Sequence, residues 1–186
     1  MSSGGPANPV FPKLTLILGG ARSGKSSWAE GFVDLSGKAP VYLATGRPVD
    51  AEMAERIARH RENRGDDWRT IEAPLEVANA LYDATAEDCV LLDCATFWLS
   101  NLMMDKRDID TAREDLIRAL RGCGPSVVVV SNEVGHGVVP ENALARRFRD
   151  AQGVLNARLA AAAELVVFVT AGLPSVLKGK LPELPA

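Results

Sequence analysis

Histidine, cysteine, excess positive charge and long apolar runs are all scarce in this chain, and each shortage excludes something. Its 186 residues hold three cysteines, Cys89, Cys94 and Cys123. That odd number, in no metal-type spacing, argues against a disulfide framework and for a reducing, cytoplasmic compartment. Lysine and arginine total 21 against 24 acidic residues, a net charge of -3, so the electrostatic footprint of a nucleic-acid binder is missing. No apolar run approaches the roughly 18 to 20 residues of a membrane span, and residues 1–12 lack the basic-then-apolar order of an export signal. With 47% apolar and 24% charged residues, what remains is an ordinary globular composition. The length suits one compact α/β domain, read here as residues 14–178, with a flexible Gly/Ser/Pro-rich lead-in at 1–13 and a Pro-rich tail at 179–186.

Within that domain, short β-branched runs alternate with helical patterns. Runs at 14–18, 41–44, 90–93, 127–130 and 165–170 read as strands of a parallel sheet covered on both faces, because they are apolar without alternation. The clearest helix is predicted over 141–164, just after Pro140, with a stripe of Leu144, Phe148, Ala151, Leu155, Leu159 and Ala162. In such folds ligands bind beyond the carboxyl ends of the strands.

The strongest chemical signal stands at the end of the first strand. Gly19-Gly20-Ala21-Arg22-Ser23-Gly24-Lys25-Ser26 satisfies G-x-x-x-x-G-K-[ST] between a strand and a helix. Small residues let backbone N–H groups wrap a polyphosphate, Lys25 adds a point charge, and Ser26 is placed to ligate Mg²⁺. Asp93, ending the run Val90-Leu91-Leu92, is the expected acid on the magnesium side, although strand-end aspartates also start turns and cap helices. Glu133, in Ser131-Asn132-Glu133-Val134-Gly135, is a second strand-end acid that suits either a reacting group or a structural turn.

Two histidines occur. His60 lies in a helix-forming segment where Arg56 and Arg64 sit four residues to either side, on the same stripe. Clustered cations would favour neutral, nucleophilic imidazole and could hold a triphosphate. The same segment also reads as a solvated face paired with its own glutamates. His136, between Gly135 and Gly137, reads as a loop residue. Phe97, Trp98 and Leu99 read either as helix core or as an apolar contact for a large ligand.

Taken in order, these motifs resemble those of the bifunctional adenosylcobinamide kinase/adenosylcobinamide-phosphate guanylyltransferase family. The phosphate loop agrees, as do Val41-Tyr42-Leu43-Ala44-Thr45, the Arg56-Ile57…His60 helix, Trp68-Arg69-Thr70-Ile71-Glu72 and Leu92-Asp93-Cys94. So do Ser131-Asn132-Glu133-Val134-Gly135, Gly137-Val138-Val139-Pro140, Phe148-Arg149-Asp150 and Asn156, so that the likeness covers about residues 14–178. The resemblance implies a RecA-like P-loop fold and two reactions. Adenosylcobinamide is phosphorylated by ATP or GTP, and GMP then passes from GTP to adenosylcobinamide phosphate through a histidine-GMP intermediate, here on His60. It further implies nucleotide contacts around Ala44, Thr45 and Gly46, with Arg61, Glu62, Asn63, Arg64 and Glu72 near the nucleotide, and a homo-oligomer, a trimer in the family. A small-metabolite P-loop kinase with no covalent nucleotide step, and a nucleotide-switch ATPase acting through a protein partner, are the competing readings.

Overall fold

The computed structural model describes residues 11–47, 55, 65 and 67–182. In chain order the elements are β1 Leu14–Gly19, α1 Lys25–Asp34, β2 Ala39–Ala44, β3 Arg69–Glu72, α2 Val77–Tyr82 and β4 Asp88–Asp93. There follow α3 Ala95–Met104, α4 Ile109–Gly122, β5 Ser126–Asn132, α5 Ala143–Ala162, β6 Leu165–Thr170 and β7 Leu173–Lys178. The seven strands form one sheet in the order β3-β2-β4-β5-β1-β6-β7. All neighbours pair in parallel except β6 with β7. This is an α/β architecture, a mostly parallel sheet with helices on both faces and the Gly19–Ser26 loop joining β1 to α1.

Successive side chains of a strand point to opposite faces, and the two halves of the core divide by that rule. Leu14, Leu16, Leu18, Val41, Leu43, Val90, Leu92, Val127 and Val129 pack one face beneath α2, α3, α4 and α5. Ile17, Tyr42, Leu91, Val128, Val130, Val167 and Val169 pack the other, against Ala29, Phe32 and Val33 of α1. Burial on both faces explains why the central strands read as unbroken apolar runs. Phe11 extends the second cluster, its ring centroid 4.8 Å from that of Phe32.

All five strands expected from the sequence are present, most extended by a residue or two. The helix expected over 141–164 is shorter. Asn142 is its N-cap, accepting through Oδ1 from the N–H groups of Leu144 (2.8 Å) and Ala145 (3.2 Å), so the helix starts at Ala143 rather than directly after Pro140. Of the expected stripe, Leu155 and Leu159 are buried and Phe148, Ala151 and Ala162 partly so, while Leu144 is exposed at the free first turn. Two strands carried no signal. β3 is a polar four-residue edge, and β7 is exposed along its length, with Pro174 tolerated because an edge strand has free N–H positions. β7 is nonetheless tied down, because Lys178 Nζ donates to the carbonyls of Ala160 (3.0 Å) and Ala161 (3.2 Å) at the end of α5.

Candidate active site

Because β1 to β6 run parallel, their carboxyl ends gather on one edge of the sheet. Gly19, Ala44, Glu72, Asp93, Asn132 and Thr170 are the last residues of those six strands. The described residues expected at the nucleotide lie on this edge or in the turns leaving it. Lys25 and Ser26 open α1, Thr45 and Gly46 follow β2, and Asp93 is separated from the phosphate-loop strand by β5.

The loop from Gly19 to Ser26 is built to hold its backbone open. Arg22 and Gly24 take positive φ, 57° and 88°, and Gly24 serves as the N-cap of α1 without any side-chain cap. The first-turn N–H groups of α1 are therefore left for an anion, favoured there by the helix dipole. Lys25 is buried at 7% exposure and donates from Nζ to the Gly20 carbonyl at 3.0 Å, which lays its charge across the loop. A hairpin braces the loop from behind. The turn between β6 and β7 donates Gly172 N–H to the Ser23 carbonyl at 2.8 Å.

Gly19 has no room for a side chain. A Cβ there would stand 2.5 Å from the Val169 carbonyl oxygen and 2.5 Å from Ser23 Oγ, and the first of these is backbone in a neighbouring strand. Gly19→Ala is therefore expected to lower stability by ~2 kcal/mol in urea unfolding and to weaken nucleotide binding, because β1 and β6 must part at the loop. Unchanged unfolding and binding curves would show that the loop opens freely.

Asp93 ends β4, and its Oδ2 accepts from the Tyr42 hydroxyl at 3.1 Å. Directly behind it the Thr45 hydroxyl is engaged twice. It donates to the Cys94 carbonyl at 2.8 Å and accepts from the Cys94 N–H at 2.8 Å. Asn101 of α3 then donates to the carbonyls of Thr45 (2.8 Å) and Pro74 (2.9 Å), locking together the turns that leave β2, β3 and β4. Thr45 thus faces the sheet's own backbone, and what its turn offers a ligand is Ala44, Gly46 and main chain. Arg47 forms a two-pronged pair with Asp105 at the end of α3, at 2.9 and 3.0 Å, and holds the same turn from outside. Burial first, then the Asp93 carboxylate, push the Cys94 thiol up to about 12, so it stays protonated and is neither nucleophile nor thiolate ligand near neutrality. Cys89, Cys94 and Cys123 are all free and buried.

Beyond β5 the chain passes the phosphate loop closely. Glu133 N–H donates to the Gly19 carbonyl at 3.1 Å, and its carboxylate accepts from Gly135 N–H at 2.7 Å, so the acid closes a turn beside the loop. His136 is exposed, its ring 6.5 Å from that of Phe168. Trp98 and Leu99 are core residues, with Trp98 Nε1 donating to the Leu75 carbonyl at 2.9 Å, while Phe97 packs on the α1 face. His60, Arg61, Glu62, Asn63 and Arg64 lie outside the described residues. Gln152 carried no sequence signal, and Asn101 and Asn156 entered only through the order of family motifs, because a buried amide takes its hydrogen-bonding role from partners distant in the chain.

The likeness to known proteins extends along most of the chain. The family model for cobinamide kinase / cobinamide phosphate guanyltransferase matches residues 15–177. The bifunctional adenosylcobalamin biosynthesis protein CobP of Pseudomonas aeruginosa is 47% identical over 168 residues, covering 89% of this chain and 97% of its own length. The CobU proteins of Salmonella typhimurium and Escherichia coli, which bear the same bifunctional description, are 40% and 39% identical, each over 89% of this chain and 99% of their own. Among solved structures, the RadB recombinase aligns with a TM-score of 0.47 at 18% identity, over 94% of this chain and 85% of that one. A phosphate loop alone would leave many kinases open, but a match from the first strand to the last, at this identity and nearly full coverage, leaves one family: the chain belongs to the bifunctional cobinamide kinase / cobinamide phosphate guanyltransferases of adenosylcobalamin biosynthesis.

Proposed function

We propose that the two reactions run in sequence and that the second passes through a covalent intermediate. The phosphate loop first presents ATP or GTP to the aminopropanol hydroxyl of adenosylcobinamide. The hydroxyl oxygen bonds to the γ-phosphorus, the bond to the β-phosphate bridge breaks, and a nucleoside diphosphate leaves. His60 then attacks the α-phosphorus of GTP, forming a P–N bond and releasing pyrophosphate. An oxygen of adenosylcobinamide phosphate displaces His60 in turn, giving adenosylcobinamide-GDP. Splitting guanylyl transfer in this way keeps the transfer potential of GTP in a phosphoramidate until the acceptor arrives. The observation that carries the kinase half is the uncapped N-terminus of α1 with Lys25 laid across the loop.

The roles assigned to single residues belong to this reading. Backbone groups from Gly19 to Ser26, including Gly20, Ala21, Arg22, Ser23 and Gly24, cradle the phosphates, and Lys25 offsets charge developing on the transferred group. Ala44, Thr45, Gly46, Arg61, Glu62, Asn63, Arg64 and Glu72 surround the guanine nucleotide. Mg²⁺ would be held by the Ser26 hydroxyl and the Asp93 carboxylate. That set fits a hard cation that keeps most of its ligands as phosphate and water oxygens, and no group of three or more acidic, histidine or cysteine side chains able to cage an ion occurs among the described residues. When bound, the ion supplies charge neutralisation to the phosphates. The catalytic unit is the single domain 14–178, working as a homo-oligomer in the cytoplasm on corrinoid and nucleotide, without nucleic acid. Among the described residues no helix is long and apolar enough to cross a membrane.

Pyrophosphate exchange tests the sequence of steps. Given GTP and labelled pyrophosphate but no corrinoid, the enzyme is expected to return label into GTP, since the histidine step is reversible on its own. Absence of exchange in an enzyme that phosphorylates adenosylcobinamide would leave a plain P-loop kinase.

A further inference from the structure

Beneath the strand-end edge lies a cluster of buried amides that the chemistry so far leaves unused. Gln152 of α5 is fully buried and donates from Nε2 to Ser131 Oγ (2.9 Å) and to Asn156 Oδ1 (2.9 Å). The Ser131 hydroxyl donates to Asn156 Oδ1 at 2.7 Å, and Asn156 Nδ2 donates to the Asn132 carbonyl at 3.0 Å. The chain of donors ends on the last residue of β5. That residue is also gripped from α3, its N–H donating to Thr96 Oγ1 at 2.8 Å, and the next N–H, of Glu133, donates to Gly19 at the root of the phosphate loop.

As mere packing between a helix and a sheet this cluster is a poor choice. Gln152 Oε1 is buried with no hydrogen-bond partner among the described residues, and such an acceptor is destabilising. A methionine of similar size would fill the space without that penalty. It would not, however, orient Ser131 and Asn156, and through them the Asn132 carbonyl.

We propose that Gln152 and Asn156 are positioning residues for the kinase step: together they hold the corner at Asn132 and Glu133 against the phosphate loop, where the cobinamide hydroxyl must meet the terminal phosphate. This rests on the reading that the kinase step takes place at that loop. The amides touch no reacting atom, and they act by fixing where the corner stands. Displacement of such a corner by a fraction of an ångström slows phosphoryl transfer without unfolding the protein.

The test is Gln152→Met and, as a second variant, Asn156→Leu in the full chain, measuring kcat and KM of the kinase step together with the melting temperature. Gln152→Met is expected to melt at or above the wild-type temperature while kcat falls about tenfold and the KM for ATP changes less than about twofold. A melting shift with unchanged kcat in both variants would show a purely structural cluster and overturn the proposal, and so would unchanged kcat with unchanged melting. Lys25→Met is run beside them. If it keeps full kinase turnover, the phosphate loop is not where the kinase step occurs, and the proposal falls for that separate reason.

Discussion

His60→Ala is expected to abolish attachment of GMP to the protein while leaving phosphorylation of adenosylcobinamide close to wild type. Wild-type enzyme incubated with Mg²⁺ and GTP labelled on the α-phosphate should carry label after denaturation, stable to alkali and labile to acid, as a phosphoramidate is. The variant should carry none, and its guanylyl transfer should fall by ~10³-fold or more, the scale seen when a covalent nucleophile is removed. The separation matters as much as the loss. The γ-phosphate transfer assigned to the loop needs no nucleophile from the protein, so a variant that loses both activities together would point to misfolding or to a shared clamp, not to a covalent intermediate. Unlabelled wild type that still binds GTP would end the histidine-GMP mechanism.

Lys25→Met is expected to lower kinase kcat/KM by roughly 10²- to 10³-fold, the usual consequence of removing one fixed charge-stabilising donor from a transition state. The fold should survive. Lys25 is buried with its charge, and a methionine of similar length relieves that desolvation, so the melting temperature is expected to hold or rise. Loss of activity without loss of stability would mark Lys25 as catalytic, whereas parallel loss of both would mark it as part of the loop's scaffold. The same preparation, tested for GMP labelling, decides whether the two reactions share a nucleotide site. Labelling that falls with the kinase rate means one phosphate cradle serves both, and intact labelling means that GTP meets His60 elsewhere.

The phosphate loop was legible because its requirements are local. Eight consecutive residues supply the turn, the open backbone, the charge and the helix start, and the strand before them is apolar on both faces. The strand-end position of Asp93 was legible for a related reason, since it closes the buried apolar run Val90-Leu91-Leu92. The edges of the sheet were not. β3 is short and polar, and β7 is exposed, so neither carries the burial that makes a pattern, and both exist because a neighbouring strand offers unpaired backbone.

By itself the amino-acid sequence determined the layered α/β class, the five buried strands, the anion-binding loop and the order of family motifs, since each depends on neighbours within a turn or a strand. Only the tertiary structure decided that Thr45 braces Cys94 rather than facing outward, that Asn101 ties the turns after β2 and β3 to α3, and that the β6–β7 hairpin backs the phosphate loop. It alone decided, too, that Gln152 and Asn156 reach the strand beside Gly19. These contacts join residues far apart in the chain through single hydrogen bonds. A hydrogen bond leaves no periodicity behind it, so its partner becomes known only when the packed sheet brings the two ends within about 3 Å.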